Sequence, residues 1–283
     1  MKKLFVADID GTLLNSKGIL EEETVKAIKR YQAKGGIFML ATGRNSFELA
    51  EITSRIDQLI INCVNGALLC EEDGTTIFSD QISITAVLKA LELAHNSFSP
   101  IEFHGNDKTY IINDKEFFKN RALEHFAKHH SPSEAERIYR HIYENDYTIF
   151  SADINKIIKA GVNKIEILFC KDEIYEKLIM SCKRELEGVN ISALKEMANI
   201  EITSDKADKG TAIKRFCDQR NISYDDVVVI GDSDNDIAML KMFSDSYAVA
   251  NASDNTKKAA SYVTVSNNDL AVAKLLDRIC SED

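Results

Sequence analysis

Short, largely apolar runs, each closed by a small polar turn and followed by a helical pattern, constrain this chain more than any other feature. Lys3 to Ala7 (KLFVA) ends at Asp8, and Ile37 to Ala41 (IFMLA) ends at Thr42-Gly43-Arg44. Leu59 to Val64 ends at Asn65-Gly66, and Val227 to Ile230 (VVVI) ends at Gly231-Asp232. Runs of this length read as strands buried on both faces, as in a parallel sheet. Between them, Glu21 to Ala33 carries Val25, Ile28 and Tyr31 at helical spacing and stops at Gly35-Gly36. Helices are also predicted over Ser46 to Ile56, Lys209 to Arg220 and Ile237 to Met242. Short strands at Tyr247 to Ala250 and Tyr262 to Val265 and a last helix over Asp269 to Ile279 complete the rhythm. The alternation predicts an α/β fold whose parallel strands are joined by right-handed crossovers.

The middle of the chain breaks this rhythm. It holds all six histidines (His95, His104, His125, His129, His130, His141) and both prolines, Pro100 and Pro132. Ser131-Pro132-Ser133-Glu134 is a capping-box pattern opening a helix, and Val162 to Cys170 reads as a strand. A chain of 283 residues suggests about two domains. The expected organisation is a core from residues 1–80 and 196–283, with 81–195 inserted as a second α/β domain. His125 and His129 share a helical face and, with His130, could in principle hold a metal. Surface or core-satisfied roles account for such histidines more simply.

Composition narrows the function classes. The net charge is −10, which argues against a general nucleic-acid binder, because phosphate backbones demand a positive face. No run approaches the ~18 apolar residues of a membrane span. Asp8 and Asp10 cut the opening apolar stretch too short for a signal peptide. The six scattered cysteines lack a CxxC pair, so reduced thiols and a cytoplasmic location are expected.

Ligands of open α/β sheets bind outside the carboxyl ends of the strands. The residues predicted there are Asp8, Asp10, Thr42, Asp232 and Asp236, joined by Lys209 at a helix start, with Gly11, Gly43, Gly210 and Gly231 beside them. Taken alone, Asp8-Ile9-Asp10-Gly11-Thr12 also fits an acidic turn that caps the next helix. In extended backbone, however, residues two apart point to the same side, so both carboxylates can face one ligand. A cluster with Asp232 and Asp236 is costly without a cation, and an all-oxygen site suits Mg²⁺. The predicted core segments contain no histidine, so acid–base work falls to carboxylates.

Together these residues resemble the haloacid dehalogenase (HAD) superfamily of phosphatases, specifically the Cof-type branch with a class II cap. The motifs stand in order as DIDGT (8–12), ATGR (41–44), DKG (208–210) and GDSDND (231–236). The IAML stretch (237–240) and Asn65-Gly66-Ala67 resemble the same branch. The resemblance implies a Rossmann-like parallel-sheet core with an inserted cap, and a Mg²⁺-dependent phosphatase of small phosphorylated metabolites such as sugar phosphates or phosphorylated cofactors. By the same resemblance Asp8 is the nucleophile and Asp10 the general acid and base. Thr42, Gly43, Lys209 and Asn235 hold the phosphoryl oxygens. Asp8, the Asp10 backbone carbonyl and Asp232 bind the metal, with Asp236 reaching it through water. The alternatives are a phosphomutase of the phosphomannomutase type and a phospho-aspartate switch module without catalysis. Two late positions depart from relatives: Ala250 precedes Asn251-Ala252, and Asp269-Leu270-Ala271-Val272 replaces a glycine-bearing turn.

Overall fold

The computed structural model describes residues 2–151 and 153–281. The chain divides into two compact units, Met1–Ser79 with Ala207–Asp283, and Asp80–Lys206. The first unit begins with β1 (Leu4–Asp8), α1 (Glu22–Ala33), β2 (Ile37–Ala41), α2 (Ala50–Thr53), β3 (Ile60–Cys63), β4 (Leu68–Glu71) and β5 (Thr76–Ser79). The second unit follows as α3 (Ile84–Asn96), β6 (Ile101–His104), β7 (Thr109–Ile111), α4 (Lys115–Phe126), α5 (Pro132–Tyr143) and β8 (Thr148–Phe150). It continues as α6 (Ile154–Ala160), β9 (Lys164–Ile167), α7 (Asp172–Glu185), β10 (Val189–Leu194) and β11 (Asn199–Ser204). The first unit resumes with α8 (Lys209–Arg220), β12 (Val227–Gly231), α9 (Ile237–Met242), β13 (Asp245–Ala248), α10 (Asp254–Ala259), β14 (Tyr262–Val263) and α11 (Ala271–Ser281).

The sheet of the first unit has the order β14-β13-β12-β1-β2-β3-β4-β5. It is parallel from β14 to β3 and closes with an antiparallel β4–β5 hairpin. Phe5 and Ala7 of β1 pack on one face with Ile28, Tyr31 and Leu276, under α1 and α11. Leu4 and Val6 pack on the other with Ile213, Phe216 and Met239, under α8 and α9. This explains why β1 reads as an unbroken apolar run: both of its faces are covered, and each large side chain so buried contributes about 1.5–3 kcal/mol.

Two expectations for this unit need adjusting. The segment after β2 is not one helix over 46–56. A 3₁₀ turn at Ser46–Leu49, started by an Asn45–Glu48 capping box, gives way to the single turn α2, and Leu49 (φ −101°, ψ 9°) interrupts the helical backbone between them. The β4–β5 hairpin was also unforeseen, although Asp73-Gly74 between two apolar runs is a turn signal.

The chain order places β1 and β12 side by side, with later strands running outward in opposite directions from this pair. That is the switch point at which the crossovers diverge and leave a crevice at the carboxyl ends. Ala7 is level with Ile230, so Asp8 and Gly231 end the two strands together.

The second unit carries its own sheet, in the order β10-β11-β9-β6-β7-β8. Phe103, Ile165, Ile167, Ile200 and Ile202 project to one face and pack with Val87, Ala90, Leu178 and Cys182 of α3 and α7. The alternate residues form a polar row, with Glu102, Glu166 and Glu201 level with one another on adjacent strands. His104 Nε2 lies 3.1 Å from Glu166, and Lys164 Nζ lies 3.7 Å from Glu166 and 3.8 Å from Glu201. Burial alone would raise the Glu166 carboxyl, but Lys164 and His104 outweigh it and hold it at about 2, against an ordinary 4.5. The folded state therefore binds fewer protons than the unfolded one, and the Glu166 contribution is lost as pH falls from about 4.5 towards 2. Glu166→Gln is expected to destabilise the protein by about 3 kcal/mol at pH 7. In urea unfolding followed by circular dichroism, that difference should shrink to nothing near pH 2.

Candidate active site

Local geometry at the end of β1 aims the DIDGT residues. After Asp8 the chain enters a tight turn over Ile9–Leu13, closed by Leu14 N donating to Ile9 O at 3.0 Å. Gly11 sits at φ +82°, and a Cβ there would come within 2.4 Å of an Asp232 carboxylate oxygen. Glycine is thus required both for the turn and for the close approach of the two motifs. Thr12 Oγ1 donates to Asp232 Oδ1 at 3.2 Å.

Lys209, at the first turn of α8, is fully buried and lies between two carboxylates. Its Nζ is 2.7 Å from Asp8 Oδ1 and 2.7 Å from Asp236 Oδ1. The other Asp236 oxygen accepts from the backbone N–H groups of Asp232 (2.9 Å) and Ser233 (3.0 Å). By contrast, Asp8 Oδ2 is buried with no hydrogen-bond partner. Burial pushes the Asp8 carboxyl well above its ordinary range, aided by Asp236 and Asp232 and opposed by Lys209. Asp232 is raised by burial and by Asp236. Lys209 is raised despite its burial, because Asp8 and Asp236 flank it.

Ligand atoms of Asp8, Asp232 and Asp236 lie within 4.8 Å of one another. One ammonium does not balance these carboxylates, and an orphaned carboxylate oxygen at their centre fits a hard divalent cation held by oxygen donors. Among the described residues the only other such group is Glu102, His104 and Glu166 in the second unit. His125, His129 and His130 belong to neither, and His125 instead lies against Phe169 with ring centroids 5.1 Å apart.

Thr42 is buried, and its Oγ1 accepts from Arg44 N at 3.1 Å. Its backbone is tied on both sides, N to Asn62 O (2.8 Å) and O to Asn65 N (3.0 Å). Asn62 Nδ2 also donates to Lys209 O at 3.0 Å, pinning the start of α8 to β3. Val64, Asn65 and Gly66 all have positive φ (52°, 52° and 100°), a costly run for a β-branched residue and its neighbour. The run lets residue 66, where a Cβ would meet Asp208 O at 2.2 Å, pass against the cap of α8. Asn65 Oδ1 accepts from Asn235 Nδ2 at 3.0 Å. This loop therefore touches the second, third and fourth motifs at once. Among the residues flagged in the sequence, Asp8, Lys209, Asp232 and Asp236 come into one cluster. Thr42, Gly43 and Asn235 line the loop beside it.

Asp10 does not join the cluster through its side chain. Its carboxylate is more than half exposed and is held by Arg44, whose Nε donates to Oδ2 at 2.8 Å and whose Nη2 donates to Oδ1. Burial works against the Arg44 charge, and the Asp10 pairing more than offsets it, so the guanidinium sits above its ordinary value. Arg44 and Asn62 were not singled out in the sequence, although Arg44 stands in the ATGR motif and Asn62 is the one polar residue inside an apolar strand. Asn251, within the departure at 250–252, bonds two neighbouring segments. Asn251 Nδ2 donates to Gly11 O at 2.8 Å, and its Oδ1 accepts from Asn267 N at 3.0 Å.

Comparison with known proteins identifies the family of the chain. A family model for haloacid dehalogenase-like hydrolases matches residues 5–276. The chain is 25% identical to phosphatase YwpJ of Bacillus subtilis, covering 98% of this chain and 99% of that one. It is 27% identical to the 5-amino-6-(5-phospho-D-ribitylamino)uracil phosphatase YwtE of the same organism, covering 99% and 98%. A HAD/COF-like hydrolase from Plasmodium vivax superposes with a TM-score of 0.74 at 26% identity, over 99% of this chain and 96% of that one. Among the described residues no helix is long and apolar enough to cross a membrane. With its motifs gathered at the β1–β12 switch point and nearly its whole length matched by the family, the chain belongs to the haloacid dehalogenase-like hydrolases, in their Cof-type branch.

Proposed function

We propose that this phosphatase is Mg²⁺-dependent and hydrolyses small phosphorylated metabolites through an aspartyl-phosphate on Asp8. The observation that carries the reading is the asymmetry at Asp8: Oδ1 is held by Lys209, while Oδ2 is buried without a hydrogen-bond partner. Lys209 and burial hold the Asp8 carboxylate in one orientation, and an oriented carboxylate is a ready nucleophile. Asp8 attacks phosphorus, the bond to the leaving oxygen breaks, and Asp10 gives that oxygen a proton. Water then attacks phosphorus while Asp10 takes its proton, the acyl phosphate bond breaks, and Asp8 regains its carboxylate. Lys209, Thr42, Gly43 and Asn235 hold the phosphoryl oxygens where negative charge develops.

A bound Mg²⁺ would neutralise phosphoryl charge, held by Asp8, the Asp10 carbonyl and Asp232. Both Asp236 oxygens are already engaged, which supports its contact through water. Two relatives named for the same phosphoribitylamino-uracil substrate favour a polyol or sugar phosphate.

The test is release of inorganic phosphate from 4-nitrophenyl phosphate and from a panel of sugar, polyol and cofactor phosphates. Chelation with EDTA should lower every rate at least about 10²-fold, with recovery on adding Mg²⁺. An undiminished rate in chelator refutes the metal. Transfer to an acceptor sugar in place of phosphate release would mark a mutase.

A further inference from the structure

We propose that Arg44 is a positioning residue for Asp10, setting the direction in which that carboxylate exchanges its proton. The inference rests on the reading of Asp10 as the acid and base. Asp10 needs a positioner. Its backbone (φ −80°, ψ 118°) lies in the non-helical part of the Ile9–Leu13 turn, and its side chain is 57% exposed. An acid free to rotate there would spend little time aimed at the reacting oxygen.

Arg44 supplies the missing constraint. Its guanidinium meets both Asp10 oxygens side by side, Nε on Oδ2 and Nη2 on Oδ1, and a planar two-point contact fixes the plane of a carboxylate as a single lysine cannot. The arginine is itself anchored, because Arg44 N donates to Thr42 Oγ1 at 3.1 Å and Arg44 O accepts from Val64 N at 3.0 Å. The orientation of Asp10 is thus tied to Thr42 and to the strained Val64–Gly66 loop. Residues that hold phosphate and the residue that moves protons are built on one frame.

The chemistry follows from where the lone pairs are. With both N–H donors in place, each Asp10 oxygen keeps one lone pair directed away from Arg44, and the incoming water delivers its proton there. In the first half-reaction Asp10 starts protonated at that outward lone pair, with both arms of the contact in place. The proton passes to the leaving oxygen as the phosphorus–oxygen bond breaks, and the carboxylate is regenerated in the same orientation. Arg44 gains and loses no proton in either step.

The experiment is a double-mutant cycle on the Mg²⁺-loaded full chain with Arg44→Ala, Asp10→Asn and both together. Substrates are 4-nitrophenyl phosphate, whose leaving group needs no proton, and glycerol phosphate, whose leaving group does. Arg44→Ala is expected to lower kcat for glycerol phosphate about 10²-fold with KM changed less than about threefold. With 4-nitrophenyl phosphate it should keep a burst near one equivalent of nitrophenol, followed by slowed turnover. The double variant should be no slower than Asp10→Asn alone, and added guanidinium should partly restore Arg44→Ala but not the double variant.

A rise in KM with kcat unchanged would make Arg44 a substrate clamp and overturn the inference. Multiplicative losses in the double variant would overturn it as well. Full activity of Asp10→Asn would instead remove the acid–base reading on which the inference stands. Arg44→Lys, which keeps the charge but not the two-point geometry, serves if Arg44→Ala folds poorly. It should recover less than about a tenth of the lost rate.

Discussion

Replacing Asp8 by Asn is expected to reduce phosphate release at least about 10⁴-fold, since removing a nucleophile from a catalytic group that acts as a unit costs rates of this order. The substitution preserves shape and leaves Lys209 paired with Asp236, so the fold should survive. Stability should in fact rise when no metal is present. The Asp8 carboxyl is raised by burial, which means that ionising it costs more in the folded state than in the unfolded one. A melting experiment in EDTA at pH 7.5 should therefore show Asp8→Asn melting higher than the parent, and Mg²⁺ should stabilise the parent more than the variant. Wild-type turnover in Asp8→Asn would remove the nucleophile assignment. A variant that melts lower than the parent in EDTA would contradict the electrostatic account of the cluster.

Lys209→Met should have the second largest effect, on both rate and stability. The lysine is the one ammonium bridging Asp8 and Asp236, and taking away one partner of a buried ionic network costs about 3–5 kcal/mol. The loss should depend on pH in a defined direction. Without Lys209 the Asp8 carboxyl is driven still higher, so the folded state takes up more protons than the unfolded one, and stability recovers as pH falls from about 7.5 towards 5. Adding Asp8→Asn should restore much of the lost stability while activity stays absent. Denaturant unfolding of the single and double variants at the two pH values measures this. A Lys209→Met protein as stable as the parent at pH 7.5 would show that the bridge contributes nothing net.

Much of the site was legible before any fold was known, because strand ends in a parallel sheet are marked by where apolar runs stop. Asp8, Thr42 and Asp232 were found that way, and Lys209 from the start of a helix. Asn62 escaped because its role is to donate to a backbone carbonyl 147 positions away. Arg44 escaped because an arginine after a strand gives no local sign of which carboxylate it meets. His104 was one histidine among six in the sequence. It takes on meaning only where β6, β7 and β9 bring Glu102, Glu166, Lys164 and Thr109 around it. The β4–β5 hairpin and the broken helix after β2 were missed for another reason. Short elements have little periodicity, and capping contacts or a single non-helical residue decide them.

The sequence by itself determined the parallel α/β core, the interruption by a second unit, and an acidic, oxygen-rich site at the strand ends. These follow from local rules, since burial on two faces demands unbroken apolar runs and a backbone turning from strand to helix demands small residues. Only the tertiary structure decided which charges meet. Lys209 is equidistant from Asp8 and Asp236, one Asp8 oxygen is left without a partner, and Asp10 turns to Arg44. Electrostatic pairing depends on distance in space, and no spacing along the chain encodes a contact across 201 residues.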